Sequence, residues 1–136
     1  MSSSFERSND IYENYVCPHC FNTMDKCTCD VYPSYSIVWI DKGIQEHVRI
    51  LNNKGYRTAY SCESHDKNDT VYIKLHNYCN IGESAEMPEG FKFNKRNNTI
   101  EHRYDKNMSA TEFENSKSKA LNVLLEWCKS LPEYSK

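Results

Sequence analysis

Four cysteines packed into a short stretch restrict this chain more than any other feature: C-P-H-C at Cys17–Cys20, then C-T-C at Cys27–Cys29. A Cys-x-x-Cys turn aims two thiolates at one point, and a Cys-x-Cys step supplies a second pair from an extended segment. Four thiolates at about 2.3 Å in a tetrahedron are the donor set of structural zinc, and they leave no open position for chemistry. Pro18 stiffens the first turn. A redox Cys-x-x-Cys normally opens a helix after a strand, and neither pattern adjoins Cys17. An iron-bound four-cysteine site shares the spacing, so the motif establishes a metal site before it establishes zinc. His19 lies between ligands and could replace one, although Cys17, Cys20, Cys27 and Cys29 suffice without it.

Such a cross-link suits the rest of the composition. With 136 residues and only 38% apolar residues, the chain fits one domain with a modest core. A net charge of −2 excludes both a basic nucleic-acid coat and an acidic nucleic-acid mimic, so a charged partner must be met by a local patch. No apolar run approaches the roughly 18 residues of a membrane helix, and the polar opening MSSSFERSNDIYEN is unlike a signal peptide. These features predict a cytoplasmic, reducing location with no membrane partner. There, seven cysteines mean metal or reactive thiols before disulfides. Fourteen asparagines beside many Lys, Tyr and Ile imply AT-rich codons, hence a low-GC bacterium or one of its phages.

Residues 1–14 read as a flexible tail, 15–33 as a metal-bound knuckle, and 34–134 as an α+β domain forming one compact unit with it. Tyr35–Ile40 (YSIVWI) reads as a buried strand. Asp41 then caps a helix over 43–54, with Ile44, Val48 and Leu51 on its apolar stripe and Gly55 as its stop. YRTAYS (56–61) and TVYIKLH (70–76) read as strands. FKFN (91–94) and TIEHRY (99–104) read as a hairpin turning through Lys95–Asn98. A long helix follows. Ser109 or Thr111 caps it, with Glu112 or Glu114 completing a capping box, and Pro132 ends it. Its stripe is Phe113, Ala120, Leu124, Trp127, Cys128 and Leu131. The resulting order, β-α-β-β-β-β-α, predicts an α+β fold: a mixed or antiparallel sheet behind the knuckle, with a β-α-β start and both helices on one face.

Beyond the knuckle, the turn S-C-E-S-H at 61–65 carries the most chemistry. Cys62 and His65 are spaced to bind a metal or to pair a thiolate with a base, and Glu63 could orient the imidazole or carry a proton. His76, Cys79 and His102 would complete a second metal site if the fold gathers them. The plain alternative is a small buried cysteine and a solvated histidine. Lys92, Lys95, Arg96 and Arg103 interleave with Phe91, Phe93 and Tyr104, a composition that can grip phosphates and stack on bases. Equally, Phe91 and Phe93 are core residues and the cations a solvated sheet edge.

Taken together, C-P-H-C…C-T-C and G-Y-x-T-x-x-x-C-E-x-H, with PEGFKFN and LLEWCKSLP, resemble a family of small uncharacterised zinc-knuckle proteins. Its members belong to low-GC Gram-positive bacteria and their phages. The resemblance spans Cys17 to Pro132 and implies a zinc-knuckle lobe but no named activity. The chain also resembles, more weakly, the wybutosine-synthesis proteins, which run through a strand into an S-C-S-G-R turn. Ser61 and Cys62 match that turn, while Ser64 and His65 stand where that family has Gly and Arg, so no catalytic residue carries over.

The sequence thus predicts a Zn2+-stabilised binding or regulatory module, one that suits a phage or host-interaction (counter-defence) role. It would meet a protein or small ligand, or else a nucleic acid, near the Cys62–His65 turn. The rival is a small enzyme using Cys62 and His65 as nucleophile and base, or as part of a second metal site.

Overall fold

A computed structural model of the chain describes residues 14–18, 20–23, 26–29, 38–65, 70–76, 81 and 86–134. The tail expected over 1–14 (save Asn14), His19, Cys79 and the first part of the strand expected over 35–40 lie outside the described residues.

Two short strands, β1 (Tyr15–Val16) and β2 (Val38–Trp39), pair antiparallel. After a 3-10 turn at Lys42–Ile44 the chain enters α1 (Gln45–Asn53). Then come β3 (Thr58–Cys62), β4 (Thr70–Leu75), β5 (Lys92–Asn94), β6 (Thr99–Arg103) and α2 (Ala110–Ser130). The last four strands form one antiparallel sheet in the order β3-β4-β6-β5. The architecture is α+β.

The sheet's inner face follows from strict alternation. Val71, Ile73 and Leu75 on β4 are fully buried, as is Ile100, which pairs with Ile73 across β6. Against them lie Ile44, Val48 and Leu51 from the α1 region and Phe113, Ala120, Leu124 and Cys128 from α2, all in one core cluster. The two helical stripes therefore cover the same face. Tyr72 and Lys74 point the other way and are half-buried.

Local chemistry sets most element ends. Ser109 accepts from the Glu112 N–H at 3.1 Å while the Glu112 carboxylate accepts from the Ser109 N–H at 2.9 Å, the expected capping box. This bond holds the Glu112 carboxyl below its ordinary pKa. Gly55, with φ +96°, terminates the α1 turn where a side chain would be strained. The adjacent Lys54 reaches across to α2, its ammonium donating to the carbonyls of Leu131 (2.5 Å), Lys129 (2.6 Å) and Cys128 (2.9 Å). A cation on these orphan carbonyls also meets the negative end of the helix dipole. Tyr56 strengthens the joint by donating to the Pro132 carbonyl at 2.6 Å.

Two expectations change. The YSIVWI segment does not open a β-α-β unit: β2 pairs with β1, a strand the aperiodic knuckle sequence did not suggest, and not with the four-stranded sheet. Of its described residues only Ile40 is buried, while Trp39 is 53% exposed. Likewise β3 begins at Thr58 rather than Tyr56, because Tyr56 is drawn onto the end of α2.

Candidate functional site

The N-terminal lobe brings Cys17, Cys20, Cys27 and Cys29 together, with all four sulfurs within 4.8 Å of one another. Local hydrogen bonds build the knuckle. The Phe21 N–H donates to the Cys17 carbonyl at 2.8 Å, and the Cys17 N–H to the Asn22 carbonyl at 3.0 Å. Phe21 takes φ +60°, the left-handed step that turns the chain back under the cluster. The Cys29 N–H donates to Cys27 Sγ at 3.4 Å. Cys17 is fully buried and Cys29 exposed, so the cluster spans core and surface.

Crowding raises the thiols of Cys27 and Cys29. The sulfurs of Cys20 and then Cys27 push Cys29 up to about 12. The Cys29 N–H pulls Cys27 down, but desolvation together with Cys17 and Cys20 outweighs it, and Cys27 is raised. A divalent cation reverses this repulsion, which is why thiolate sites release protons on binding metal. The donor set and its spacing are compatible with a metal ion.

A second constellation sits at the end of β3. Asp41, Cys62 and His65 each offer a donor atom within 4.8 Å of the others. The sequence pointed to Cys62, Glu63 and His65; the structure keeps two and replaces the third. Glu63 turns away, its carboxylate pairing with Lys117 of α2 at 3.1 Å and accepting from the Gly43 N–H at 3.3 Å. It ties the turn to α2 and to the 3-10 turn that precedes α1. Asp41, expected as a helix cap, makes no side-chain capping bond. Its Oδ2 accepts from the Glu63 N–H at 3.2 Å and lies 3.5 Å from His65 Nε2. Twenty-one positions separate Asp41 from Cys62, so no local spacing announces the pairing.

His76 and His102 do not join. His76 follows the far end of β4, its N–H donating to the Arg57 carbonyl at the other end of β3 from Cys62. His102 lies between the rings of Phe91 (5.1 Å) and Tyr104 (4.9 Å), and burial lowers its pKa. Cys128 is a buried packing residue whose thiol burial pushes up to about 12.

The cationic candidates separate from the turn as well. Lys92, Lys95, Arg96 and Arg103 are exposed on the β5–β6 hairpin, while Phe91 is buried and Phe93 packs on the core. In the order β3-β4-β6-β5, the β5 edge stands three strand spacings, about 14 Å, from β3. Lys92 therefore stands on the far edge from Cys62, while Arg103 on β6 is two strands from β3.

A groove of about 540 Å³ instead adjoins β3. The knuckle lobe forms one wall with Phe21, Val38 and Trp39, and Tyr60, Arg57 and Tyr72 line the other. Trp39 (53% exposed) and Tyr60 (68%) are the exposed large hydrophobic side chains among the described residues, and both line this groove. The sequence reading missed it because its two walls meet only through the tertiary fold. No helix among the described residues is long and apolar enough to cross a membrane.

No protein-family model, curated protein or solved structure matches this chain.

Proposed function

We propose that this protein is a zinc-stabilised binding module that holds an extended segment of a partner protein in the groove beside β3. One observation carries the reading: the two exposed large hydrophobic residues among those described line the same groove. Exposed aromatics supply large contact area at small entropic cost and recur at the centres of interfaces. β3 is moreover the edge of its sheet and, among the described residues, pairs with β4 alone. An added strand there would gain backbone hydrogen bonds, with Trp39 and Tyr60 gripping alternate side chains. The role of Zn2+ in the Cys17–Cys20–Cys27–Cys29 cluster is to hold the lobe wall in place. The resemblance to small proteins of low-GC Gram-positive bacteria and their phages supports a host-directed, counter-defence role, for which covering a host surface suffices without turnover.

Selection of displayed random peptides against the full chain tests this. Enriched peptides should have alternating apolar positions, and their binding should be lost in Trp39→Ala and Tyr60→Ala but kept in Lys95→Ala/Arg96→Ala. Peptides indifferent to Trp39 and Tyr60 would sink the idea. Salt-dependent oligonucleotide binding that is lost in Lys95→Ala/Arg96→Ala would transfer the function to nucleic acid.

A second reading, a small enzyme, is favoured by the Asp41–Cys62–His65 constellation alone. Its chemistry depends on what those three residues hold.

A further inference from the structure

We infer that Asp41, Cys62 and His65 form a second metal site, an open three-ligand site for Zn2+ whose fourth position is left to water or an anionic oxygen donor. The inference stands apart from the groove reading, since it concerns metal binding and not a partner.

The donor set comes first. A thiolate, a neutral imidazole and a carboxylate together carry two negative charges, so a divalent ion makes the site neutral. The four-cysteine cluster carries four and stays anionic when filled. Zinc accepts S, N and O donors, and three protein ligands with one open position are the pattern of its reactive sites.

The distances agree. Zinc–nitrogen and zinc–oxygen bonds of about 2.0–2.1 Å in a tetrahedron set the two donors roughly 3.4 Å apart. Asp41 Oδ2 and His65 Nε2 stand 3.5 Å apart, at the outer limit of a hydrogen bond but close to that tetrahedral edge. All three donor atoms already lie within 4.8 Å. Because the His65 side chain is 64% exposed on its turn, its ring can swing in without disturbing the core.

The surroundings are those of a prepared site. The Ser64 N–H donates to Cys62 Sγ at 3.4 Å, the same bond at the same length that Cys29 makes to Cys27 in the four-cysteine cluster. Ser64 takes φ +76° and is fully buried, so the turn is held in a conformation a serine rarely adopts. On the other side, the Glu63 N–H fixes the Asp41 carboxylate at 3.2 Å, as outer-shell donors do for carboxylate ligands. The Glu63–Lys117 pair then anchors the turn to α2. A surface Asp–His contact beside a small buried cysteine would need none of these supports.

The cluster neighbours the groove through Ser61, which precedes Cys62 and lines it. Tyr72, the cross-strand partner of Cys62, lines that groove. A carboxylate or phosphate oxygen on a molecule in the groove is the class of ligand such an ion would take, and a bound water would be activated there.

The test is zinc stoichiometry on the full chain, after dialysis against a zinc buffer that keeps the four-cysteine cluster filled. Wild type should hold two ions, and Asp41→Asn, Cys62→Ser and His65→Ala one each. His65→Ala removes an exposed side chain, so its fold is the least at risk, and far-UV circular dichroism checks all three. A single ion in wild type, or two ions kept in His65→Ala, overturns the inference. Alkylation of Cys62 by iodoacetamide gives an independent readout: added zinc should protect the thiol, and an unchanged labelling rate also overturns it. Trp39→Ala should keep both ions, so a failed groove and a failed metal site give different results.

Discussion

Removing the metal from the four-cysteine cluster should detach the N-terminal lobe and leave the α+β core folded. Cys29→Ser is the cleanest perturbation, because Cys29 is exposed and its loss disturbs no packing. The lobe's two strands are of two residues each, and strands of that length have no stability alone, so the metal and a few core contacts would hold it. Val16 (1% exposed) and Ile40 (4%) enter the core from this lobe. Each contributes at most about 1.5–3 kcal/mol by burial, so detachment removes roughly 3–6 kcal/mol. For a domain of this size one kcal/mol shifts Tm by about 3–5 °C, which gives a fall of roughly 10–30 °C. The assay is thermal unfolding by far-UV circular dichroism together with amide hydrogen exchange. The Ile40 N–H, bonded to the Asn14 carbonyl at 2.7 Å, should lose protection, while Ile73 and Ile100 in the sheet keep theirs. If Tm and Ile40 protection are unchanged, the metal staples nothing. If the helical signal vanishes at room temperature, the metal organises the entire core, and the division of labour argued above is wrong.

Other perturbations test the joints around the sites. Lys54→Met strips the carbonyls of Cys128, Lys129 and Leu131 at the end of α2 of a charged donor and should cost about 1–3 kcal/mol in urea unfolding, more than an ordinary surface lysine. Gly55→Ala forces a side chain onto φ +96° with its Cβ 3.2 Å from that of Tyr134, and should cost about 1–2 kcal/mol or more. His47 is buried, its Nε2 donating to the Leu121 carbonyl at 2.7 Å, and burial holds its pKa below the ordinary value. The unfolded chain therefore takes up a proton near pH 6.5 that the folded one refuses. Stability is level above that pH and falls as pH drops below it. The pH dependence of the urea midpoint should be shallower in His47→Gln than in wild type. Lys117→Ala frees Glu63 from α2 and should weaken zinc binding at Asp41–Cys62–His65 by roughly 10–100-fold while leaving the knuckle ion in place.

How much of this was legible in the residues alone depends on the range of the interaction. The cysteine knuckle, the capping box at Ser109, the Gly55 stop, the β5–β6 hairpin and the Leu124–Cys128 stripe all rest on contacts within a few positions. There residue type and spacing carry the information, and the structure agrees. What depended on distant segments meeting was hidden. Asp41 reads locally as a helix cap, and only the return of β3 beside it brings its carboxylate to His65. Glu63 reads as that histidine's partner until Lys117, 54 positions on, draws it away. Trp39 reads as one residue of a buried strand, yet β2 pairs with β1 and leaves the indole on the wall of a groove. By itself the sequence determined that a lobe of four clustered cysteines, able to hold a metal, precedes an α+β core, because ligand spacing and hydrophobic period are local properties. Tertiary structure decided which carboxylate faces Cys62 and His65 and where the exposed aromatics meet, because backbone pairing and burial, not neighbours in the chain, select those partners.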